Sequence, residues 1–155
     1  LGVIVLSGVV QALRARNGES MSLLSFEFVG ITLAAVAAVV LTRLLLKSAE
    51  LAEPWVVIVL FVLIAVVLMF LARVGTTAVN WSFGSGSMLS GLAWGLVTGW
   101  VLAHMVLRII IGFQGADSET ALQIEHGPVA REVYLFESWN WLLRTLFHID
   151  LGPKV

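Results

Sequence analysis

This chain reads as an all-α, polytopic integral membrane protein: a bundle of three or four transmembrane helices followed by a C-terminal amphipathic helix at the membrane interface. Three observations carry that reading. Hydrophobic residues make up 59% of the sequence and charged residues only 12%, with a mean hydropathy of +1.00, which is too apolar for a soluble globule. The apolar residues are gathered into runs long enough to cross a bilayer. One of these runs, MLSGLAWGLVTGWVLAHMVLRIIIGF, belongs to a row with a small residue at every fourth position: Ser87, Gly91, Gly95, Gly99 and Ala103. A helix face stripped of side chains in this way is shaped for another helix to lie against.

The elements follow in order. Residues 1–13, LGVIVLSGVVQAL, are apolar and stop at Arg14 and Arg16. As a helix they would reach only ~20 Å of a hydrocarbon core ~30 Å thick, so a partial span is expected, with a processed end or a re-entrant or interfacial piece as alternatives. A cleaved signal peptide is not expected, because no small-residue cleavage site follows. The next span runs from about Met21 to Lys47, with Arg43 and Lys47 placed to snorkel at its end. The link SAELAE then leads to Pro54, suited to the first turn of a span that ends at Arg73. So short a link makes the two spans an antiparallel hairpin. A β-barrel strand would need only ~10 alternating residues, so these continuous runs are helices.

The segment GTTAVNWSFGSGS reads as a turn-rich loop, and the glycine-ridged span then crosses from about Met88 to Phe113. Residues 1–113 therefore form a transmembrane domain. Residues 114–155 form a polar linker and a helix opening at Pro128 and continuing to about His148. Its apolar side carries Val129, Val133, Phe136, Trp139, Leu143, Leu146 and Phe147; Arg131, Glu137, Ser138, Arg144 and His148 lie opposite, with Glu132 and Asn140 as exceptions. Such a helix suits the interface or a partner, and Trp55, Trp81, Trp139 and Trp141 fit headgroup-level anchors. If the first segment spans, the count of cations leans weakly towards a cytoplasmic tail.

Composition narrows the chemistry. A net charge near −1 lacks the basic surplus of a nucleic-acid binder, so no such partner is expected. With no cysteine, the chain alone has no disulfide, thiolate metal site or cysteine nucleophile. No His or acidic pair has metal-ligand spacing, no nucleophile motif is present, and GSGS lacks the lysine of a phosphate loop, so neither a metal site nor a catalytic residue is expected. The sequon at Asn80 lies too near the membrane to carry weight.

Ionisable residues inside a span are costly and are the default functional candidates. His104 is the one histidine within a span, with Trp100 and Arg108 as its i−4 and i+4 neighbours. An imidazole there is a candidate axial ligand for haem iron or chlorophyll magnesium; the plainer reading is a neutral histidine bonded to a neighbouring helix. Glu27 is a candidate proton or cation site, or a first-turn carboxylate complementing its helix end. With Trp100 and Arg108 it makes up the candidate intramembrane polar set. Gly30, Ala34, Ala38 and Thr42 form a second small row, which can meet the Ser87–Ala103 ridge within one chain or leave it to another subunit.

The functional expectation is a non-catalytic accessory subunit of a multi-subunit membrane complex, of the respiratory or photosynthetic electron-transfer type. Its partners would be lipid, including bound lipid, and other membrane subunits, in a bacterial inner membrane or an organellar one. The alternative is a small oligomeric transporter or channel working through Glu27 or His104.

Overall fold

The computed structural model describes residues 1–45, 53–79, 87–115, 118–135, 141 and 145, and among these there is no β-strand. Among the described residues the helices, in chain order, are α1 (Gly2–Arg16), α2 (Met21–Leu45), α3 (Glu53–Val79), α4 (Met88–Gln114), α5 (Glu119–His126) and α6 (Pro128–Leu135). Three of them, α2, α3 and α4, are long and apolar enough to cross a membrane. The chain is a polytopic helical membrane protein. It divides into two compact units, Leu1–Leu102 and Ala103–Val155.

In the first unit α1 has 15 residues, about 22 Å of helix at ~1.5 Å per residue. It continues past Leu13 through Arg14 and Arg16, so these cations lie in its last turn, where they complement the carbonyl end of the helix. Gly18, with φ +93°, then reverses the chain. That left-handed conformation is open to glycine at no steric cost. Ser20 restarts the helix, its Oγ accepting from the Leu23 N–H at 3.3 Å.

Helices α2 and α3 pack as the expected antiparallel hairpin. A Cβ placed on Gly30 would meet the Leu68 Cβ at 3.3 Å, so the missing side chain lets α3 approach. Ala34 and Ala38 are fully buried and Thr42 nearly so. Helix α3 does not stop at Arg73 but runs on to Val79, through residues that the sequence placed in a loop. Thr76 and Thr77 turn their hydroxyls onto carbonyls of Ala72 and Arg73 one turn back. In a membrane helix this satisfies the hydroxyls without breaking the backbone ladder, and the lone Gly75 is tolerated. Val59, Leu63, Val66 and Phe70 lie along an exposed face of α3, the side such a helix turns to lipid.

The glycine ridge of α4 is covered by α1. Cβ atoms built on Gly91, Gly95 and Gly99 would stand 2.6, 2.5 and 2.9 Å from the carbonyl oxygens of Gln11, Ser7 and Ile4. The order is antiparallel, and α1 meets the ridge with small residues of its own, Gly8, Ala12 and Ala15. Backbone-to-backbone approach of this kind gains van der Waals contact and weak Cα–H···O bonds along three turns. Ser87 is not part of the contact: it is exposed, and its Oγ accepts from the Ser90 N–H at 3.2 Å as a helix cap.

In the second unit Gly115, φ +89°, ends α4, and Ser118 caps α5 by accepting from the Ala121 N–H. The stretch read as a polar linker therefore contains a helix. Its start signal was a serine followed by a first-turn glutamate. Helices α5 and α6 pack together, burying Ile124 and Val133. The C-terminal helix begins at Pro128 as expected, with the proline at its first position. Its continuation to His148, and with it most of the amphipathic pattern, lies outside the described residues apart from Trp141 and Thr145, which are helical.

The ridge makes a direct prediction. Gly95→Ala, whose methyl has no room, should lower stability by about 1–3 kcal/mol in detergent unfolding. Gly75→Ala, with nothing within 4 Å of its Cβ, should leave stability unchanged or raise it. Equal effects at the two glycines would contradict the α1–α4 packing.

Candidate functional site: a buried ion cluster at one end of the bundle

Glu27 stands on the second turn of α2, and none of its surface is exposed. A carboxylate so placed cannot stay ionised without compensation, because its desolvation is not offset by water. Arg14, in the last turn of α1, supplies it. Its Nη1 donates to Glu27 Oε2 at 2.5 Å and its Nη2 to Oε1 at 2.9 Å. This two-point fork is the strongest geometry available to a carboxylate and a guanidinium. The guanidinium is then filled from other directions: Nη1 also donates to Gln11 Oε1 at 2.9 Å, and Nη2 lies 2.5 Å from Glu19 Oε2. Arg73 of α3 brings a second cation, its Nε 3.7 Å from Glu27 Oε1, with 63% of its side chain exposed.

Local structure explains why these groups meet. The Gly18 turn folds α2 back beside α1, which places Arg14 and Glu27 level with one another. The α2–α3 hairpin brings the last turns of α3 to the same end. At that level Phe28 of α2 meets Trp94 of α4, ring centroids 5.4 Å apart. Two arginines and two glutamates balance in charge. Both oxygens of Glu27 are hydrogen-bonded within the cluster, whereas the buried Glu19 Oε2 is held by its ion pair with Arg14 and accepts no well-aligned hydrogen bond among the described residues.

The sequence-predicted candidates are distributed differently from expectation. Glu27 is brought to Arg14, Gln11, Glu19 and Arg73, not to Trp100 and Arg108. The Trp100 indole N–H is buried with no acceptor within hydrogen-bond distance among the described residues. His104 and Arg108 belong to the second unit. There His104 Nδ1 lies 3.0 Å from the Val133 carbonyl of α6. A carbonyl only accepts, so Nδ1 carries the proton. That bond ties the middle of α4 to the α6 backbone. Ala103 is buried in the same unit. Among the described residues no group of three His, Cys, Asp or Glu side chains is placed to hold a metal ion.

The residues that sequence reasoning missed are Arg14, Gln11, Glu19 and Arg73. Arg14 and Arg73 were read only as cations at the ends of spans. The available signal was Glu27 itself: a carboxylate in a span demands a partner cation, and Arg14, Arg16 and Arg73 are the ones that share its end.

Compared with family models, with curated proteins and with solved structures, the chain matches none of them.

The two arginines should differ sharply when removed. Arg14→Met strands a buried carboxylate and should cost about 3–5 kcal/mol of stability. Arg73→Met, at an exposed and longer contact, should cost under about 1 kcal/mol. Chemical unfolding of the two variants in one detergent measures the difference, and equal losses would contradict the assignment of Arg14 as the primary partner.

Proposed function

We propose that this chain is a non-catalytic accessory subunit that packs inside a multi-subunit complex of a bacterial inner or organellar membrane. The observation that carries the reading is how its buried polar side chains are used. Glu27 is enclosed in the fork of Arg14, and His104 is spent on the Val133 backbone. A proton or ion path needs a group that water or the ion can reach and that can exchange partners. A carboxylate with no exposed surface and two short bonds to an arginine serves position, not exchange. What the chain offers its surroundings instead is apolar helix surface, above all the exposed length of α3. Surface of that kind is what a subunit presents to lipid and to neighbouring transmembrane helices.

The electron-transfer type of assembly is the more specific form of this proposal. It rests on the sequence pattern of a short, tryptophan-bearing chain without a catalytic motif. Haem or chlorophyll bands in the visible spectrum of the intact complex are expected of it. A complex without them removes that type and leaves the accessory role standing.

The role itself is tested by mild solubilisation of the native membrane and blue native electrophoresis. The chain should migrate in an assembly far larger than its own 16.8 kDa and bring a constant set of neighbours. Migration as the chain alone, together with ion flux in liposomes that Glu27→Gln abolishes, would overturn it in favour of a transporter.

A further inference from the structure

We propose that the groove between α2 and α3 binds an anionic phospholipid, with one acyl chain over Gly30 and Gly75 and the phosphate on Arg73. The groove has a volume of about 420 Å³ and is lined by residues including Phe26, Gly30, Leu68, Ala72, Gly75 and Thr76. That is the size of an ordinary small-molecule pocket, roughly 300–1,000 Å³. Its origin is local. Gly30 and Gly75 contribute no side chain, and at Gly75 a Cβ would meet nothing within 4 Å. The one hydroxyl on the named wall, that of Thr76, is spent on the carbonyls of Ala72 and Arg73. The groove therefore offers no hydrogen bond to a polar ligand and suits a hydrocarbon chain.

Its position selects the occupant. The groove lies between two membrane-spanning helices, where acyl chains are the surrounding solvent. It reaches the turn of α3 that carries Arg73, whose neighbours Ala72, Gly75 and Thr76 are part of the wall. Glu27 is already gripped at both oxygens by Arg14, so Arg73 stands off at 3.7 Å and keeps most of its side chain exposed. A guanidinium at a membrane interface, with most of its side chain exposed, is matched by a phosphate. Arg14, Arg16 and Arg73 outnumber Glu19 and Glu27 at this end, which favours a headgroup of net negative charge. The proposal does not depend on which complex the chain belongs to.

Native mass spectrometry of the whole chain, released from detergent with equal amounts of phosphatidylglycerol and phosphatidylcholine of matched chains, tests it. One retained lipid is expected, with phosphatidylglycerol favoured by about fivefold, the contribution of a single interfacial arginine. Arg73→Gln should bring that preference to about one while lipid is still retained, since only the charge term is lost. Gly75→Phe, whose Cβ meets nothing within 4 Å and whose ring takes up groove volume, should remove the retained lipid of both kinds. Equal retention of the two lipids by the unaltered chain would overturn the proposal, as would an unchanged adduct in Gly75→Phe. So would a lipid-free dimer that Gly75→Phe dissociates, because the occupant would then be a second copy of the chain.

Discussion

A carboxylate with no exposed surface, in a protein whose surroundings are hydrocarbon, must be paired inside the molecule, and the first unit is organised around that requirement. Glu27 meets it through Arg14. For the guanidinium to arrive, α1 must end beside the start of α2, which the tight turn at Gly18 allows. Helix α1 must also be held in place. The α4 glycines provide that seat. Gln11 joins the two arrangements: its backbone carbonyl lies where a Gly91 side chain would be, and its side-chain oxygen accepts from Arg14. A methyl group on the ridge would therefore displace the same turn of helix that delivers the cation. Packing and electrostatics are two aspects of one contact.

Much of this was legible in the sequence and some was not, for identifiable reasons. The long spans were readable because twenty apolar residues have few alternatives in water or lipid. The ridge was readable as a contact surface because i, i+4 small residues have one common consequence in a membrane helix. Its partner was not. The Gly30–Ala38 row was as good a match on spacing, and in the structure Gly30 receives Leu68 of α3 instead. Choosing between two small rows requires the tertiary arrangement. The small row of α1 was hidden by its length and by the large residues Val9, Val10 and Leu13 between its members. The end of α3 was misplaced because Gly-Thr-Thr signals a turn in water, whereas in a membrane helix threonine hydroxyls bond back along the helix. Of the site, Glu27 and His104 stood out by type, but their partners did not, because hydrogen bonds across 13 and 29 residues leave no local trace.

The same arrangement bears on function. Once Arg14 has paired both oxygens of Glu27, that carboxylate has none to spend on transport, and Arg73 keeps most of its side chain exposed. A membrane protein built this way meets its surroundings through apolar helix faces and interfacial cations, which are the means by which subunits and lipids recognise one another. Within the second unit the His104–Val133 bond plays a corresponding part, joining the α6 backbone to His104.

The central claim is that Arg14 is required because Glu27 is buried. It is tested most directly by asking whether removing the carboxylate rescues the loss of the arginine. Stability in detergent should be compared for Arg14→Met and for the double variant Arg14→Met/Glu27→Met. A buried ion pair replaced on both sides by apolar groups is often neutral, whereas a stranded charge is not. The account predicts that the double variant recovers most of the stability that the single variant loses. A double variant less stable than Arg14→Met alone would contradict it.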